Sequence, residues 1–428
     1  MRLPISALML AFIGSATGHA QQTDGAKVQE EQWQRRITSV QPMTGIVLWS
    51  DHEKVETNAI ALEFRYCGYD EIAVAPGRYD FTRFDEFLDK VAKRGHQAVV
   101  RFRFVYPGKT TTLPSFVLNA PDYEPTIAKS EGKRTHFCDW SSSTLQTFTL
   151  DFYTAFAKRY DRDPRLAFLQ TGFGLWAEYH IYDGPRKLGK NFPDKAYQTR
   201  FLNHLTDVFD DLPWSISVDA ADNTYSPIED NTSLLRLPFG VFDDSFLCRQ
   251  HARENEVNWT ILNRSRWKTS PAGGELSYYT RRDQKLALSQ NGPHGVSFSD
   301  LASQFHVTYM IGNDQPNYQS MDAIKAAGMR CGYRFRVQDV DVIDNQLHLS
   351  ITNTGIAPLY RDAFFASPSP QRETITRSDV TLKGLLPGEI RDVVLPAVQG
   401  WQDRLHIVSD HLVPGQTIEF EAGVVSVD

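Results

Sequence analysis

Beyond its first twenty residues the chain has no apolar run approaching the roughly 20 residues that a membrane-spanning helix needs. It has no excess of one charge sign either. The net charge is −7, with acidic and basic residues mixed along the sequence, so there is no electrostatic footprint for nucleic acid or an anionic membrane surface. The four cysteines, Cys67, Cys138, Cys248 and Cys331, form no C-x-x-C pair, which removes the usual zinc and redox motifs. In an oxidising compartment they are compatible with one or two disulfides, and equally with four buried thiols. No glycine-rich phosphate-binding turn opens the strand series, so a dinucleotide fold is not suggested. Neither a metal nor an organic cofactor is expected.

What is present begins with a leader. Arg2 supplies a short positive start, Ile5 to Ile13 is apolar apart from Ser6, and Gly18 and Ala20 stand at the −3 and −1 places of a signal-peptidase site. A buried N-terminal helix is the plain alternative, but nothing caps it. Residues 1–20 therefore read as a cleaved export signal, which predicts a periplasmic or secreted protein without membrane insertion. No cysteine sits at the cleavage site, so no lipid anchor is expected. Residues 21–45 are polar and read as irregular.

From there strands and helices alternate. Ile60 to Tyr66 reads as a strand. A helix follows from Thr82, its expected N-cap, to Gly95, with Phe84, Phe87, Leu88, Val91 and Ala92 on one face. Gln97 to Val105 is the next strand, and a short one is expected near His136. A helix over Ser143 to Tyr160, a strand over Leu166 to Thr171, a helix over Asp194 to Phe209 and a strand over Trp214 to Ala220 continue the pattern. Further strands are expected at Phe239 to Phe242, Ser270 to Glu275 and His306 to Ile311. Repeated β-then-α units over residues 46–328 predict a (β/α)8 TIM barrel. From residue 329 to 428 short alternating segments are separated by turns such as Asn353-Thr-Gly355 and Pro387-Gly388, which predicts a small C-terminal β-sandwich. Its expected role is to brace the barrel.

Catalytic groups of a barrel stand at the C-terminal ends of its strands, where the loops converge. Two glutamates have that position. Glu178 closes Thr171-Gly-Phe-Gly-Leu-Trp-Ala-Glu178, after the fourth strand if one lies near His136. Glu275 follows Gly273-Gly274 on the seventh. Two carboxyls, one donating a proton and one attacking or activating water, are what glycosidic hydrolysis needs. Trp176 beside Glu178 would help exclude water and raise its pKa. Arg101 and Arg103 share a strand face, which is either the barrel interior, where they would hold a carboxylate ionised, or the helix side, where they are structural. His180, Asp219 and Asp243 (with their neighbours Asp222 and Asp244) are candidate contacts for sugar hydroxyls, and Trp140, Trp176 and Trp267 are candidate stacking surfaces. Aromatic residues make up 12% of the chain, which suits sugar faces and ordinary cores alike. Each candidate has a plain structural alternative: a helix cap, an ion pair such as Glu63 with Arg65, or a loop residue.

The segment Arg78-Tyr-Asp-Phe-Thr-Arg-Phe-Asp85 with the helix it opens, and Lys133-Arg-Thr-His-Phe-Cys138 through Arg159-Tyr-Asp-Arg-Asp-Pro164, resemble the first units of β-galactosidase-type barrel enzymes. The resemblance covers residues 60 to 180 and, more loosely, the rest of the barrel. It implies an acid/base role for Glu178, a nucleophile role for Glu275 and a carbohydrate substrate hydrolysed with retention. One position departs: the family carries Asn directly before the acid/base Glu, where it contacts the sugar 2-hydroxyl, and here that place is Ala177. The whole chain is similar to secreted bacterial proteins that carry paired domains of unknown function. The rival expectation is a non-catalytic carbohydrate-binding barrel of the cell envelope.

Overall fold

The structure, a computed structural model, describes residues 26–27, 33–368 and 375–423; the expected leader lies outside the described residues. Eight parallel strands close into a barrel in chain order: β1 (Gly45–Trp49), β2 (Leu62–Cys67), β3 (Gln97–Phe102), β4 (Leu166–Gln170), β5 (Trp214–Ser217), β6 (Gly240–Phe246), β7 (Ala272–Leu276) and β8 (Tyr309–Ile311). The principal helices around it are α1 (Thr82–Lys93), α2 (Ser143–Tyr160), α3 (Lys195–Val208), α4 (Ala252–Ile261), α5 (Phe298–Phe305) and α6 (Met321–Gly328). Strand β3 is buried at every position, as a strand with helices on one face and the barrel interior on the other must be. Helix α1 buries Phe84, Leu88 and Val91, and Phe84 packs on Phe102 of β3 and Phe156 of α2. Its start is fixed by Asp80, whose carboxylate accepts the Thr82 backbone N–H, so Thr82 is the first helical residue and not the cap. Among the described residues no helix is long and apolar enough to cross a membrane.

Two sequence expectations about the strands are corrected. The strand at 60–66 is the second of the barrel. The first, Gly45–Trp49, pairs with Tyr309–Ile311 and closes the cylinder. The segment near His136 is no barrel strand; Lys133–Phe137 pairs antiparallel with Thr126–Ser130 in the long loop after β3. The two errors offset, and Leu166–Gln170 is the fourth strand. The four cysteines are unpaired buried thiols.

The C-terminal part is two small sheets packed on each other. Strands β9 (Phe335–Ile343), β10 (Gln346–Asn353) and β13 (Ile390–Pro396) form one antiparallel run, with β15 (Phe420–Ala422) parallel to β9. Strands β11 (Phe364–Pro368), β12 (Ile375–Arg377) and β14 (His406–Val408) form the other. The segment before the barrel, expected to be irregular, is stitched onto this unit. Ala26–Lys27 pairs with β9, Arg35 bridges to Ala422, and Trp33 packs edge-on against Trp401 at 4.8 Å.

The sandwich seals the end of the barrel where the strands begin. Gln97, the first residue of β3, donates to the His411 carbonyl at 2.8 Å. Buried Arg361 donates to the carbonyls of Leu166, the first residue of β4, and of Asp161. A donor that satisfies two otherwise lost carbonyls is a strong tie in a dry interface. The opposite end, where the strands finish, is left to loops.

Candidate active site

Side chains alternate along a strand, so one set from each strand fills the barrel axis. Val47 on β1, Phe64 and Tyr66 on β2, Val99 and Arg101 on β3, Phe168 and Gln170 on β4, Phe242 on β6, Gly273 and Glu275 on β7 and Tyr309 on β8 belong to that set. At its upper level stands Arg101, fully buried. Its guanidinium lies 4.3 Å from the centre of the Phe242 ring and 5.2 Å from that of Phe64, and Nε donates to Gln170 Oε1 at 2.7 Å. Gln170 in turn donates to Tyr309 Oη at 2.8 Å. Arg101 Nη1 reaches Tyr66 Oη at 3.1 Å and Glu178 Oε1 at 3.3 Å, while Nη2 lies 2.9 Å from Glu275 Oε1. Of the two faces open to Arg101 from sequence, the structure selects the interior. Glu63 and Arg65 do not pair with each other: Glu63 takes Arg94 and His96 on the helix side, and Arg65 takes Glu71.

Local backbone brings Glu178 to this point. Strand β4 ends at Gln170, and the chain then curls back on itself: Gly174 N–H donates to the Glu178 carbonyl at 2.7 Å and Leu175 N–H to that of His180 at 3.0 Å. A Cβ at Gly174 would lie 1.9 Å from the His180 oxygen, so only glycine fits. Trp176 and Ala177 both take left-handed backbone, φ 54° and 59°. For residues with a Cβ this costs about 1–2 kcal/mol each, a strain that marks functional loops. Glu275 needs a close approach of another kind. At Gly274 a Cβ would meet the Asp243 carbonyl of β6 at 2.2 Å, and the strand could not lie where Glu275 faces Arg101.

Electrostatics separate the two carboxyls. Glu178 is buried, and after burial the largest influence raising its pKa is Asp244, with Asp219 and Glu275 adding to it against Arg101; the group is held well above the ordinary carboxylate range. Glu275 is also raised by burial, but its largest neighbour is Arg101, which favours its ionised form. His180 Nδ1 lies 3.8 Å from Glu178 Oε2. Glu178, His180, Asp219 and Asp244 present oxygen or nitrogen atoms all within 4.8 Å of one another, a set that would also suit a divalent cation. Burial and the crowding of Asp244 and Asp219 favour a protonated Glu178, against the pull of Arg101 toward the ionised form.

The other candidates divide. Asp219 sits in the turn after β5, fixed by the Ser217 hydroxyl at 2.8 Å, and with His180 it lines a cavity of about 560 Å³ at the mouth. Trp176 lies at the rim, stacked on exposed Tyr182 with ring centres 6.0 Å apart, and its carbonyl faces Arg101. Arg103 lines a second, smaller cavity. Asp243 is corrected. It points away from the axis, accepting from the Ser245 N–H and from Asn255 of α4, and burial followed by the charge of Asp244 pushes its pKa up to about 8. Asp244, one residue on, faces the site. Trp140 is corrected too: it is fully buried between Phe104, Phe173 and Tyr197, behind the barrel wall. Trp267 precedes β7, at the sandwich end, where it stacks on His306 and its carbonyl takes the Tyr360 hydroxyl. Tyr66, Gln170 and Tyr309 were missed, although strict alternation with Phe64, Phe168 and Ile311 marks them as interior positions.

With this geometry established, comparisons with known proteins can be placed on it. Residues 52–230 match the family described as beta-galactosidase, a span that holds Arg101, Glu178 and Asp219 and stops short of Asp244 and Glu275. No protein with a curated description matches the sequence. Among solved structures, the galactosidase domain of the alpha-galactosidase–sucrose kinase AgaSK is similar at 10% identity and a TM-score of 0.37, over 84% of this chain and 55% of that one. The beta-galactosidase of the Antarctic haloarchaeon Halorubrum lacusprofundi gives 11% and 0.40, over 66% and 57%, and GH5_18 of Streptomyces cattleya, solved with GlcNAc, gives 10% and 0.42, over 68% and 79%. The chain thus spans little more than half the length of the first two. The family match and the closed parallel barrel make this a glycosidase-like (β/α)8 fold.

Proposed function

We propose that the chain is an exported glycoside hydrolase that cleaves a β-linked glycan or oligosaccharide with retention of configuration. The observation that carries this is Arg101: one planar guanidinium touches both Glu178 and Glu275. That keeps the two carboxyls within the spacing, up to about 9.5 Å, at which a pair can act on one glycosidic bond. In the first step the Glu275 carboxylate attacks the anomeric carbon while Glu178 gives its proton to the departing oxygen. In the second, Glu178, now ionised, takes a proton from water as that water displaces Glu275. The assignment follows the electrostatics, since the carboxyl crowded by Asp244 and Asp219 suits the proton donor and the one closest to Arg101 suits the nucleophile.

The family name makes β-galactosides the first probes. Proton NMR of the earliest product should show the β-anomer. First release of the α-anomer would replace attack by Glu275 with attack by water. Binding without any product across bound glycans would favour the carbohydrate-binding alternative. The leader supports export, and the mature protein recovered from its native cell envelope or medium should begin at Gln21; an intact Met1 there would remove that part.

A further inference from the structure

The catalytic pair is flanked by two cavities of opposite character. The one beside His180 is acidic, lined by Asp219, Asp222, Glu229 and Glu254 against Arg186. The other, of about 250 Å³, opens by strands β1, β2 and β3 and is walled by Trp49, Tyr66 and Tyr106, with room for one sugar ring. Tyr66 joins it to the catalytic pair, because its hydroxyl takes the Arg101 hydrogen bond.

Its charged groups are mostly cationic. Arg65 is taken up by Glu71. Arg103 and Lys109 have no carboxylate at ion-pair distance among the described residues, and both flank the Tyr106 ring, Arg103 Cζ at 5.5 Å and Lys109 Nζ at 4.3 Å. Arg103 Nη1 and Trp49 Nε1 are buried donors with no hydrogen-bond partner. The acidic groups opposing them are Asp51 on the cavity wall and Asp70 with Glu71 behind Arg103. Aromatic walls fit the apolar face of a pyranose, while two uncommitted cations and two unpaired donors call for an acceptor that folding does not supply. A carboxylate would be repelled from the acidic cavity and drawn to this one.

We infer that the Arg103–Lys109 cavity is a subsite for a uronic acid, so that the substrate is an acidic glycan. The inference rests on the glycosidase reading and narrows its substrate class. Thio-linked methyl β-D-glucuronide and β-D-galacturonide, which resist hydrolysis, can be compared with their methyl esters by calorimetry on the wild-type chain. At least one acid should bind about tenfold or more tightly than its ester. Arg103→Met should weaken that acid about ten- to a hundredfold and its ester far less, and exposed Lys109→Met, which leaves the core untouched, should weaken it in the same direction. Equal affinity for acid and ester, binding of neither, or an equal loss for both in the variants would overturn the subsite. If acids bind selectively but no glycoside is ever cleaved, the subsite stands and the hydrolase reading falls.

Discussion

Glu275→Gln is expected to lower kcat/KM by at least about a thousandfold while the protein still folds, with a cooperative thermal unfolding transition at a temperature somewhat below that of the parent. The amide has the size of the carboxyl and sits on a strand held by its Gly273-Gly274 backbone, so the interior is not emptied. What it loses is the anion 2.9 Å from Arg101. Removing one charge of a buried pair carries a stability cost, because Arg101 loses a counter-charge, but Arg101 keeps its bonds to Gln170, Tyr66 and Glu178, and ionisation of Glu178 in the variant offsets part of that cost. The chemical loss has no such compensation, because an amide neither attacks the anomeric carbon nor ionises. A shorter variant, Glu275→Ala, gives a sharper test. With an activated aryl glycoside, added azide should restore turnover and yield the glycosyl azide of inverted configuration, since the anion then occupies the vacated place. Activity of Glu275→Gln above about a tenth of the parent value would remove this residue from the mechanism.

The sequence carried the architecture where patterns are local and lost it where they are not. The strands from β2 to β8 announce themselves through apolar runs bounded by turns and followed, in most cases, by an amphipathic helix. Gly45–Trp49 has no helix after it and follows a polar stretch, so the β-then-α rhythm that identifies a barrel strand is missing there. The hairpin over residues 126–137 imitates a strand because its Thr and Phe content suits any sheet. Asp243 and Asp244 differ by one residue, and a one-residue difference on a strand exchanges the barrel axis for the helix side. Strand β6 also shifts register against β7 between Asp243 and Phe246, which alternation in the sequence does not reveal. Trp140 and Trp267 show the limit of composition: a large ring fills a core as readily as it meets a sugar, whereas the exposed rim aromatics are Tyr182, Tyr278 and Tyr279. Glu178 was legible as an acid in a glycine-rich loop past a strand. The environment that raises its pKa was not, because Asp219, Asp244 and Arg101 come from three other strands and meet only in the closed barrel.

That assembled environment makes the second large effect specific. Glu178 must be protonated to donate and Glu275 ionised to attack. Activity therefore falls as pH rises through the Glu178 pKa, and falls again as pH drops through that of Glu275. Burial raises both groups, and Asp244 with Asp219 raises Glu178 further, so the bell-shaped profile of kcat/KM should lie above the range of ordinary surface carboxylates, with Glu178 on its alkaline limb. Glu178→Gln should cost about 10²–10⁴-fold with an alkyl glycoside, whose departing oxygen needs the proton, and much less with a dinitrophenyl glycoside, whose departing phenolate does not. The alkaline limb should vanish in this variant while the acid limb remains. Asp244→Asn should keep the alkaline limb and move it to lower pH, because a negative charge that disfavours ionisation of Glu178 has been removed. An alkaline limb unchanged in Glu178→Gln would assign that titration to another group, with buried Asp244 the first to consider, since burial and Asp219 raise its pKa as well.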